Sequence, residues 1–466
     1  MTFSTLRLLT TLVALLWLSG CQRGPDAPDV AAEASRLTGI ADAIHFESQL
    51  PTNAPDSPPD TLTLAEASRL ALLRDAQVQI ALAKVRVAEA TARQSRLLPN
   101  PIFNFVARFP EGGGEPILEV ALAEDLLALL QRPHSIKAAD ATLRAAASDA
   151  LSSVLDVLSA VQTSYANLQA IEEELEILRR RKQVVDQLFG LTEGKQKAGE
   201  GSRADVSMVQ THQLELEVDI EDMQSQAADE RLALTRLIGQ PSGAAEWRIT
   251  PWQPPADFNG TEQTWLAAAM QNRPELRAKE WELAALGAER RGAIWSPLQG
   301  SDIGVHAERD ATWNLGPAVT VPLPIFDTGR AARDKLTAQE IGARHDLTQM
   351  QRQVIEEVRR AYAGYRSALA TLRLADGQLL PIAQQRYEQA QSAYKAGETD
   401  LLRLLVAQED LQDARKKVVD LHKRASLARI KLHRAAGGPG AIPTVWSEAQ
   451  TQPATRPSTQ PHQDTP

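Results

Sequence analysis

The stretch Lys197-Ala-Gly-Glu200 occurs a second time as Lys395-Ala-Gly-Glu398, and the sequence around it repeats in step. Matched positions in the two halves stay 197 to 199 residues apart. The other landmarks pair Tyr165 with Tyr362, Gly239 with Gly437, Trp247 with Trp446, and Pro99 with Pro297. A period of this length is too long for a solenoid, whose repeats have about 20–50 residues. We therefore infer an internal duplication and a pseudo-symmetric fold.

The composition narrows the class of protein. The chain has 466 residues and a net charge of −9, so nucleic acid is not an expected partner. Aromatic residues make up only 5%, as in long helices and coiled coils. The single cysteine, Cys21, excludes a disulfide scaffold and a cysteine-rich metal site.

The chemistry-bearing residues do not form an enzyme site. The eight histidines are scattered, and there is no His-Glu-x-x-His motif, phosphate-binding loop, dinucleotide glycine motif or nucleophile elbow. His422 and His433 lie eleven residues apart and share a helix face, which we interpret as a surface or tunnel wall rather than a metal site. We therefore predict no catalytic activity, no metal and no cofactor apart from a covalent lipid.

The N-terminus has the pattern of an export signal. Arg7 precedes an apolar run over Leu8–Leu18, which is too short to span a bilayer, and Ser19-Gly20-Cys21 follows. The pattern resembles a bacterial lipoprotein signal, which implies removal of residues 1–20 and acylation of Cys21. Gln22, rather than an aspartate, follows the cysteine, which resembles lipoproteins sorted to the outer membrane. The alternative is an ordinary secretory signal with an incidental cysteine.

Both halves predict long helices. Apolar residues follow coiled-coil spacing over Leu151–Leu178 and again over Val354–Leu379. We predict a helix from about Ala138 to Glu193, roughly 80 Å long at 1.5 Å per residue, and a second long helix that continues through Pro381 with a kink. Shorter helices are expected within Thr61–Leu97 and Thr261–Ser296.

These patterns divide the chain into segments, listed here in order: residues 1–20 as the signal, 21–60 as a Pro-rich lipidated tether, 61–240 as the first repeat, 241–260 as an inter-repeat equatorial segment, 261–437 as the second repeat, and 438–466 as a largely disordered Pro/Thr/Gln-rich tail.

Each repeat contains one stretch with the period of a β-strand. Apolar residues at Phe103, Phe105 and Ala107 alternate with Asn104 and Val106. A similar alternation follows the next glycines and recurs in the second repeat. We predict strand pairs at about 101–126 and 301–326. Ten residues suffice for a tilted transmembrane strand, whereas the alternative is a pair of half-buried hairpins in a soluble domain.

Four strands cannot close a barrel, and open strand edges are not tolerated in hydrocarbon. Three copies of the chain supply twelve strands, a number that closes around a pore. The predicted fold is therefore mainly α with a pair of transmembrane β-hairpins, in which a twelve-stranded trimeric β-barrel continues into an α-helical coiled-coil tunnel.

The chain resembles the TolC-like outer-membrane efflux proteins over about Thr61–Gly437. The most specific match is the segment Val321–Arg330, which resembles the strand-to-helix motif of that family. The residues that carry this match are Pro324, Phe326, Asp327 and Gly329. The corresponding stretch of the first repeat, near Leu126–Pro133, departs from the motif, which leaves the register of its last strand open by a few residues.

The resemblance implies an exit duct to the exterior. A periplasmic adaptor (membrane fusion protein) would connect this duct to an inner-membrane pump of the resistance-nodulation-division type. It places the Lys-Ala-Gly-Glu turns at the periplasmic tips that meet the adaptor. The tip residues are Lys197, Gly199, Gly201, Ser202 and Asp205 in the first repeat and Lys395, Gly397, Thr399 and Asp400 in the second.

Some members of that family close the periplasmic end with aspartates after the second tip. Arg403 and Val406 occupy those positions here, so the acidic ring is not carried over. We predict a possible gate in which Asp205 or Asp400 pairs with Arg403, against the alternative of solvated surface charges. Two other functions stay open at this point: a periplasmic coiled-coil lipoprotein or adaptor without a barrel, and the duct of a type I protein secretion system.

Overall fold

The structure is a computed structural model. It describes residues 24–25, 27–41, 44–47, 60–109, 111–113, 115–240, 245, 247–252, 260–309 and 312–441. The predicted signal segment, Cys21, Trp446 and most of the predicted tail lie outside these ranges.

The first half of the chain forms one set of elements in the following order: α1 (Val30–Thr38), β1 (Thr61–Leu62), α2 (Leu64–Arg74), α3 (Ala76–Gln94), β2 (Ile102–Arg108), β3 (Ile117–Asp125), α4 (Leu126–Lys197) and α5 (Arg203–Leu237).

The second half repeats that order without a counterpart of α1: β4 (Arg248–Ile249), α6 (Glu262–Asn272), α7 (Pro274–Gly292), β5 (Asp302–Arg309), β6 (Trp313–Thr320), α8 (Arg330–Leu374), α9 (Leu380–Lys395) and α10 (Leu401–Ala435). A π-helical turn (Ala375–Leu379) joins α8 to α9, and 3₁₀ turns occur at Ala293–Leu298 and Pro439–Ala441.

The predicted duplication is confirmed by the lengths of matched helices. Helices α2 and α6 both have 11 residues, α3 and α7 both have 19, and α5 and α10 both have 35. Each repeat therefore consists of two short helices, a strand pair and a long helical hairpin. The main difference between the repeats lies in the first helix of the long hairpin. In the first repeat this is the single helix α4, whereas in the second the π-helical turn separates α8 from α9.

Helix α4 is longer than the sequence indicates. It has 72 residues and begins directly after β3, well before the predicted start at Ala138. At 1.5 Å per residue this corresponds to about 110 Å. The carboxylate of Asp125 caps the helix by accepting a hydrogen bond from the backbone N–H of Ala128. No connecting loop is needed, because the last strand residue itself serves as the cap.

A duplicated tyrosine fixes the start of each repeat to its long helix. The hydroxyl of Tyr165 donates to the carbonyl of Leu62 at 3.0 Å, and that of Tyr362 donates to the carbonyl of Gly260 at 3.2 Å. The two carbonyls precede α2 and α6 at matched positions. Tyr165 is 1% exposed and lies in the apolar core of the first repeat, whereas Tyr362 lies in the separate core of the second.

A duplicated glycine follows the second helix of each long hairpin. Gly239 follows α5 with φ +75°, and Gly437 follows α10 with φ +97°. A Cβ at Gly239 would lie 2.5 Å from Cβ of Arg74, and one at Gly437 would lie 2.9 Å from the carbonyl carbon of Asn272. Because only glycine combines this backbone conformation with so close an approach, the pair fixes the end of each hairpin against α2 or α6.

The interpretation of residues 21–60 as an extended tether is wrong for part of the segment, because Val30–Thr38 form α1. Asp29 caps this helix, and Leu37 is 1% exposed. Arg36 pairs with Glu33 and donates to Oδ1 of Asn272 at 3.0 Å. Leu37 thus packs in the apolar core of the first repeat, whereas the hydrogen bond to Asn272 ties the segment to the second repeat.

The first residues of the predicted tail are also ordered. A Cβ at Gly438 would lie 2.4 Å from the carbonyl oxygen of Leu37, and one at Gly440 would lie 1.9 Å from that of Arg36. The 3₁₀ turn after α10 therefore rests directly on the end of α1. This close backbone contact explains why a segment of low apolar content is ordered here.

An ion-pair cluster joins the two repeats. Arg434 on α10 donates to Oδ1 of Asp156 on α4 at 2.7 Å and pairs with Glu275 on α7. Ser152 donates to the same oxygen of Glu275 at 2.9 Å. The arginine is 17% exposed in its side chain, so this cluster is better shielded from solvent than an ordinary surface ion pair.

Candidate functional site

The first helical tip joins α4 to α5. Gly199 adopts φ +80°, and the N–H of Glu200 donates to the carbonyl of Lys195 at 2.9 Å, which closes the end of α4. Ser202 then caps α5 in a capping box, where the carboxylate of Asp205 accepts from the N–H of Ser202 at 3.3 Å. A Cβ on Gly201 would lie 3.0 Å from the N atom of Gln196, so the reversal is tight.

The second tip, between α9 and α10, uses the same geometry. Gly397 adopts φ +74°, and the N–H of Glu398 donates to the carbonyl of Ala393 at 2.9 Å. Asp400 caps α10 by accepting a hydrogen bond from the N–H of Arg403 at 3.1 Å. Lys395 is the last residue of α9, and Thr399 lies between the turn and the cap.

The two tips of one chain touch each other. Nζ of Lys195, beside the first turn, lies 5.0 Å from the ring centroid of Tyr394, beside the second. Leu401 of the second tip packs against a cluster formed by Val185, Val209 and Leu216 of the first hairpin. The residues assigned to the tips from sequence are thus brought to one end of the molecule.

The carboxylates assigned to a possible gate have local roles in this structure. Asp205 and Asp400 both accept backbone N–H groups at helix N-termini. The side chain of Arg403 is exposed and forms no ion pair with either of them among the described residues. Each carboxylate therefore stabilises its helix end, whatever second role it has.

The strands form one antiparallel sheet in the order β2-β3-β5-β6. Phe103 pairs with Leu122, and Leu122 pairs with Val305, so these side chains share one face. The apolar members of this face are Phe103, Phe105, Ala107, Leu118, Val120, Leu122, Ile303, Val305, Ala307, Trp313, Leu315, Pro317 and Val319, and the charged residues Glu124 and Arg309 lie on the same face near its two ends. Most of its large residues are exposed, with Phe103 at 66% and Leu315 at 67%, whereas Leu118 and Val120 are partly buried.

Most residues on the opposite face of the sheet are polar or small, and its larger apolar members are Ile102, Val106 and Ile117. Glu119 pairs with Glu308 across β3 and β5, and Arg108 on β2 forms an ion pair with Glu119 at 2.6 Å. His306 and Asn104 lie on the same face. A sheet with one exposed apolar face and one polar face suits a wall between hydrocarbon and water. The polar–apolar alternation predicted from the sequence is confirmed, and the register of β3 is settled by its pairing with both neighbours.

The second strand-to-helix junction is built differently from the first. Strand β6 ends at Thr320, earlier than the predicted 326, and Pro322 and Pro324 follow it; proline lacks the N–H that a further ladder bond requires. Phe326 is 99% exposed. The carboxylate of Asp327 accepts from the N–H of Gly329 at 2.8 Å.

Gly329 itself occupies the cap position of α8, with φ +69°. A Cβ there would lie 2.6 Å from Oγ of Ser296 and 2.8 Å from Cγ of Pro297. The glycine in the sequence motif is therefore required both for its conformation and for its contact with the turn that ends the preceding helical segment.

The histidines singled out from sequence do not share one environment. His433 is only partly exposed and packs edge-on against Trp265, with ring centroids 5.4 Å apart. Burial and the nearby Arg429 lower its pKa to about 4. The ring of His422 lies 6.1 Å from that of Trp252. No group of three or more His, Cys, Asp or Glu residues in the described part of the chain is arranged to hold a metal ion.

Sequence reasoning missed several contacts that position these sites. The hydroxyl bonds of Tyr165 and Tyr362, the parallel pairing of β1 with β4 and the Arg434 cluster all depend on partners far away in sequence. The recurrence of Tyr-Ala in both halves was the one available signal for the first of these. Within the described ranges, no helix combines the length and apolar character needed to cross a membrane.

A model of the family described as "outer membrane efflux protein" matches residues 125–240 and 265–438. The chain is 26% identical over 325 residues to the pyoverdine export outer membrane protein OpmQ of Pseudomonas aeruginosa, covering 66% of each protein. It is 26% identical over 298 residues to nodulation protein T of Rhizobium leguminosarum bv. trifolii, covering 60% of this chain and 62% of that relative. The matched region thus spans slightly less than two thirds of these relatives.

Solved structures share the fold. The outer membrane protein VceC from Vibrio cholerae superposes with a TM-score of 0.67 at 19% identity, covering 80% of this chain and 96% of VceC. The CmeC outer membrane channel of Campylobacter jejuni gives a TM-score of 0.67 at 15% identity, covering 81% of this chain and 86% of CmeC. At these identities the likeness is one of fold.

Proposed function

This chain belongs to the outer membrane efflux protein family, and on that basis we propose that it is the outer-membrane exit channel of a tripartite efflux pump. The observation that carries the proposal is the four-stranded sheet with one apolar and one polar face, joined to two long helical hairpins. The sheet suits a membrane wall, and the hairpins suit a conduit leading away from it. Such a duct provides a passive path and breaks no covalent bond.

The sheet leaves β2 and β6 as unpaired edges within the chain. Because lipid offers no hydrogen bonds to an open edge, these strands need partners from other copies. A homotrimer places twelve strands in a closed barrel of pore size in the outer membrane, with the helices continuing into the periplasm.

The tips supply the contact with the rest of the pump. They are exposed and polar, and the turns at Gly199 and Gly397 lie beside each other in one chain. We assign them to docking of a periplasmic adaptor, which connects the duct to an inner-membrane pump of the resistance-nodulation-division type. The different caps, Ser202 and Asp400, make the two docking sites of each chain unequal.

A lipid on Cys21 anchors the N-terminus in this proposal. Its support is the sequence alone, since the residue lies outside the described ranges. Several acyl chains, at about 0.8 kcal/mol per buried CH₂, anchor a protein firmly. Labelling with a palmitate analogue tests the assignment: wild-type chain should be labelled and Cys21→Ser should not, and an unlabelled wild-type chain would remove the lipid from the proposal.

Isolation of the outer membrane tests the exit-channel function. The full chain should be recovered from the outer-membrane fraction as a heat-modifiable trimer in mild detergent, and it should form ion-conducting pores in planar bilayers. A soluble periplasmic monomer that forms no pores would instead indicate a coiled-coil lipoprotein or an adaptor without a barrel.

A further inference from the structure

A cleft lies where the two long helical hairpins of one chain meet. Helix α4 packs against both α5 and α10, and residues of all three helices line the cleft. It has a volume of about 360 Å³, within the range of about 300–1,000 Å³ that small-molecule sites occupy. Leu178, one of its α4 residues, precedes the end of that helix by 19 residues, so the cleft lies about 30 Å from the tip. It is therefore separate from the turns assigned to adaptor docking.

Part of the wall of the cleft is apolar. Ile177 and Leu178 of α4 and Met223 of α5 line it, and all three are partly buried. Small-molecule sites combine such apolar walls with a few polar groups that orient the ligand. This part of the cleft suits the aliphatic body of a ligand better than it suits a bare ion.

The rim of the cleft carries carboxylates that have no cationic partner. Asp219 and Asp222 of α5 and Asp413 of α10 are exposed, and in the described part of the chain none of them forms an ion pair. Asp219 and Asp222 are three residues apart, so they lie on the same helix face. The negative charge therefore comes from two helices that belong to different hairpins.

The cleft already holds one ammonium group. Nζ of Lys416 lies 2.7 Å from Oε1 of Glu174. This hydrogen bond, together with the charges of Glu174, Asp420 and Asp219, raises the pKa of Lys416. Arg181 is the other cation among the described lining residues, so four carboxylates face two cations and leave a net charge of −2. This excess matches a ligand with two positive charges.

A buried amide adds a polar group without a partner. Gln412 lines the cleft and is 8% exposed, and within the described ranges its Oε1 has no hydrogen-bond partner. Buried polar side-chain atoms are usually paired, since burial without a partner loses the hydrogen bonds made in water. An ammonium group of a ligand supplies the donor that this oxygen lacks.

The spread of the carboxylates indicates an extended cation. Among the described residues, no three or more His, Cys, Asp or Glu side chains are grouped so that they could hold one metal ion. The carboxylates of the cleft thus do not converge on a single point. A ligand that reaches both Asp222 and Asp413 needs its positive charges at the two ends of a chain.

We propose that this cleft binds a linear aliphatic diamine. One ammonium group binds the carboxylates of Asp219 and Asp222, and the other binds Asp413 and Oε1 of Gln412 on α10. The hydrocarbon chain between them packs on Met223 and its apolar neighbours. Such a ligand joins the two hairpins, and its binding does not depend on the channel function.

Titration calorimetry of the purified full-length chain in a neutral detergent tests the site. The probe 1,5-diaminopentane should bind at one site per chain, and about fivefold or more tightly than 1-aminopentane, because one exposed ion pair contributes up to about a fivefold change in affinity. Mg²⁺ at equal concentration should not displace it. Asp219→Asn/Asp222→Asn should weaken binding of the diamine about fivefold or more.

A matched control removes the same charge from the same helix. Glu215 and Glu221 are exposed on α5 and do not line the cleft. Glu215→Gln/Glu221→Gln should therefore bind the diamine within about twofold of the wild type, since charges outside the site are screened by salt. Equal weakening in both double variants would show attraction to the acidic surface in general and would overturn the site.

Two single substitutions probe the other polar groups. Lys416→Met frees Glu174 for the ligand and should tighten binding about fivefold, whereas Lys417→Met, at the exposed neighbouring residue outside the cleft, should not. Gln412→Leu should weaken binding without lowering the midpoint of thermal unfolding, because it removes a buried oxygen that has no partner. Wild-type affinity in a folded Gln412→Leu chain would contradict the proposed contact.

The outcomes separate this site from the exit-channel function. A trimer that conducts but binds no diamine, or binds the diamine no better than the monoamine, overturns the site and leaves the channel function intact. A chain that binds the diamine as described but forms no pores overturns the channel function alone.

Discussion

Nζ of Lys195 lies over the ring of Tyr394, 5.0 Å from its centroid, so a cation–π contact joins the two tips of one chain. We expect Tyr394→Leu to loosen both tips. A partly exposed contact of this kind contributes about 0.5–1 kcal/mol, which corresponds to a few-fold faster amide exchange. Hydrogen exchange at Lys195–Gly201 and Tyr394–Asp400 measures it. Tyr394→Phe keeps the ring and should exchange like the wild type; equally fast exchange in both variants would contradict the contact.

The duplicated tyrosines predict unequal effects on stability. Tyr165→Phe leaves both the Leu62 carbonyl and the Thr250 N–H, which donates to the hydroxyl at 3.0 Å, without that partner. We expect a loss of about 2–3 kcal/mol in the free energy of unfolding. Tyr362→Phe should lose about 1 kcal/mol, because its bond to Gly260 is longer and less buried. Denaturation in detergent measures both, and equal losses would argue against the difference.

The sequence predicted those elements in which apolar residues repeat with a constant period, because one face of such an element meets a single apolar environment. The strands were predicted because residues such as Phe103 and Phe105 recur with a period of two, and the long hairpins because apolar residues follow coiled-coil spacing. The start of α4 at Leu126 was missed since Asp125 is both the last strand residue and the helix cap. Local sequence does not reveal that overlap.

Elements fixed by distant contacts were beyond sequence reasoning. Helix α1 is short and lies in a Pro-rich segment, and Arg36 finds Asn272 only in the folded chain. The π-helical turn was visible only as a one-residue change in the spacing between Tyr362 and Lys395. The change in spacing alone does not identify a π-helical turn. The turn depends on α10, which packs along both α8 and α9 and keeps them continuous.

At Gly329, in the junction between β6 and α8, we predict that a single added methyl group lowers stability strongly. Gly329→Ala places a Cβ against Ser296 and Pro297 in a left-handed backbone conformation, which alone costs about 1–2 kcal/mol. We expect a lower midpoint of thermal unfolding in detergent. The matched control is Gly342→Ala within α8. An added Cβ there would meet no atom within 4 Å outside its own helix backbone, and helix propensity favours alanine by about 1 kcal/mol. The junction model would be wrong if both variants behaved like the wild type.

His433 predicts a loss of stability in acid. Its folded-state pKa of about 4 lies below the ordinary value of 6.5, so the unfolded chain binds the proton more readily. Its contribution is therefore complete above pH 6.5 and is lost as the pH falls toward 4, by an amount of the order of 3 kcal/mol. His433→Gln should flatten this part of the pH dependence of the unfolding midpoint, and an unchanged pH dependence in this variant would contradict the assignment.

Substitutions at Asp400 can separate its capping role from a role in the gate. Asparagine caps a helix about as well as aspartate, whereas alanine does not and lowers stability by about 1 kcal/mol. If the carboxylate pairs with Arg403 in a closed state, Asp400→Asn, Asp400→Ala and Arg403→Ala should all raise the closed-state conductance of single channels. If Asp400 acts only as the cap of α10, Asp400→Asn and Arg403→Ala should conduct like the wild type. Because the Asp400 side chain accepts the Arg403 N–H at 3.1 Å in this structure, we expect the asparagine variant to fold normally, so a changed conductance in it would report the charge alone.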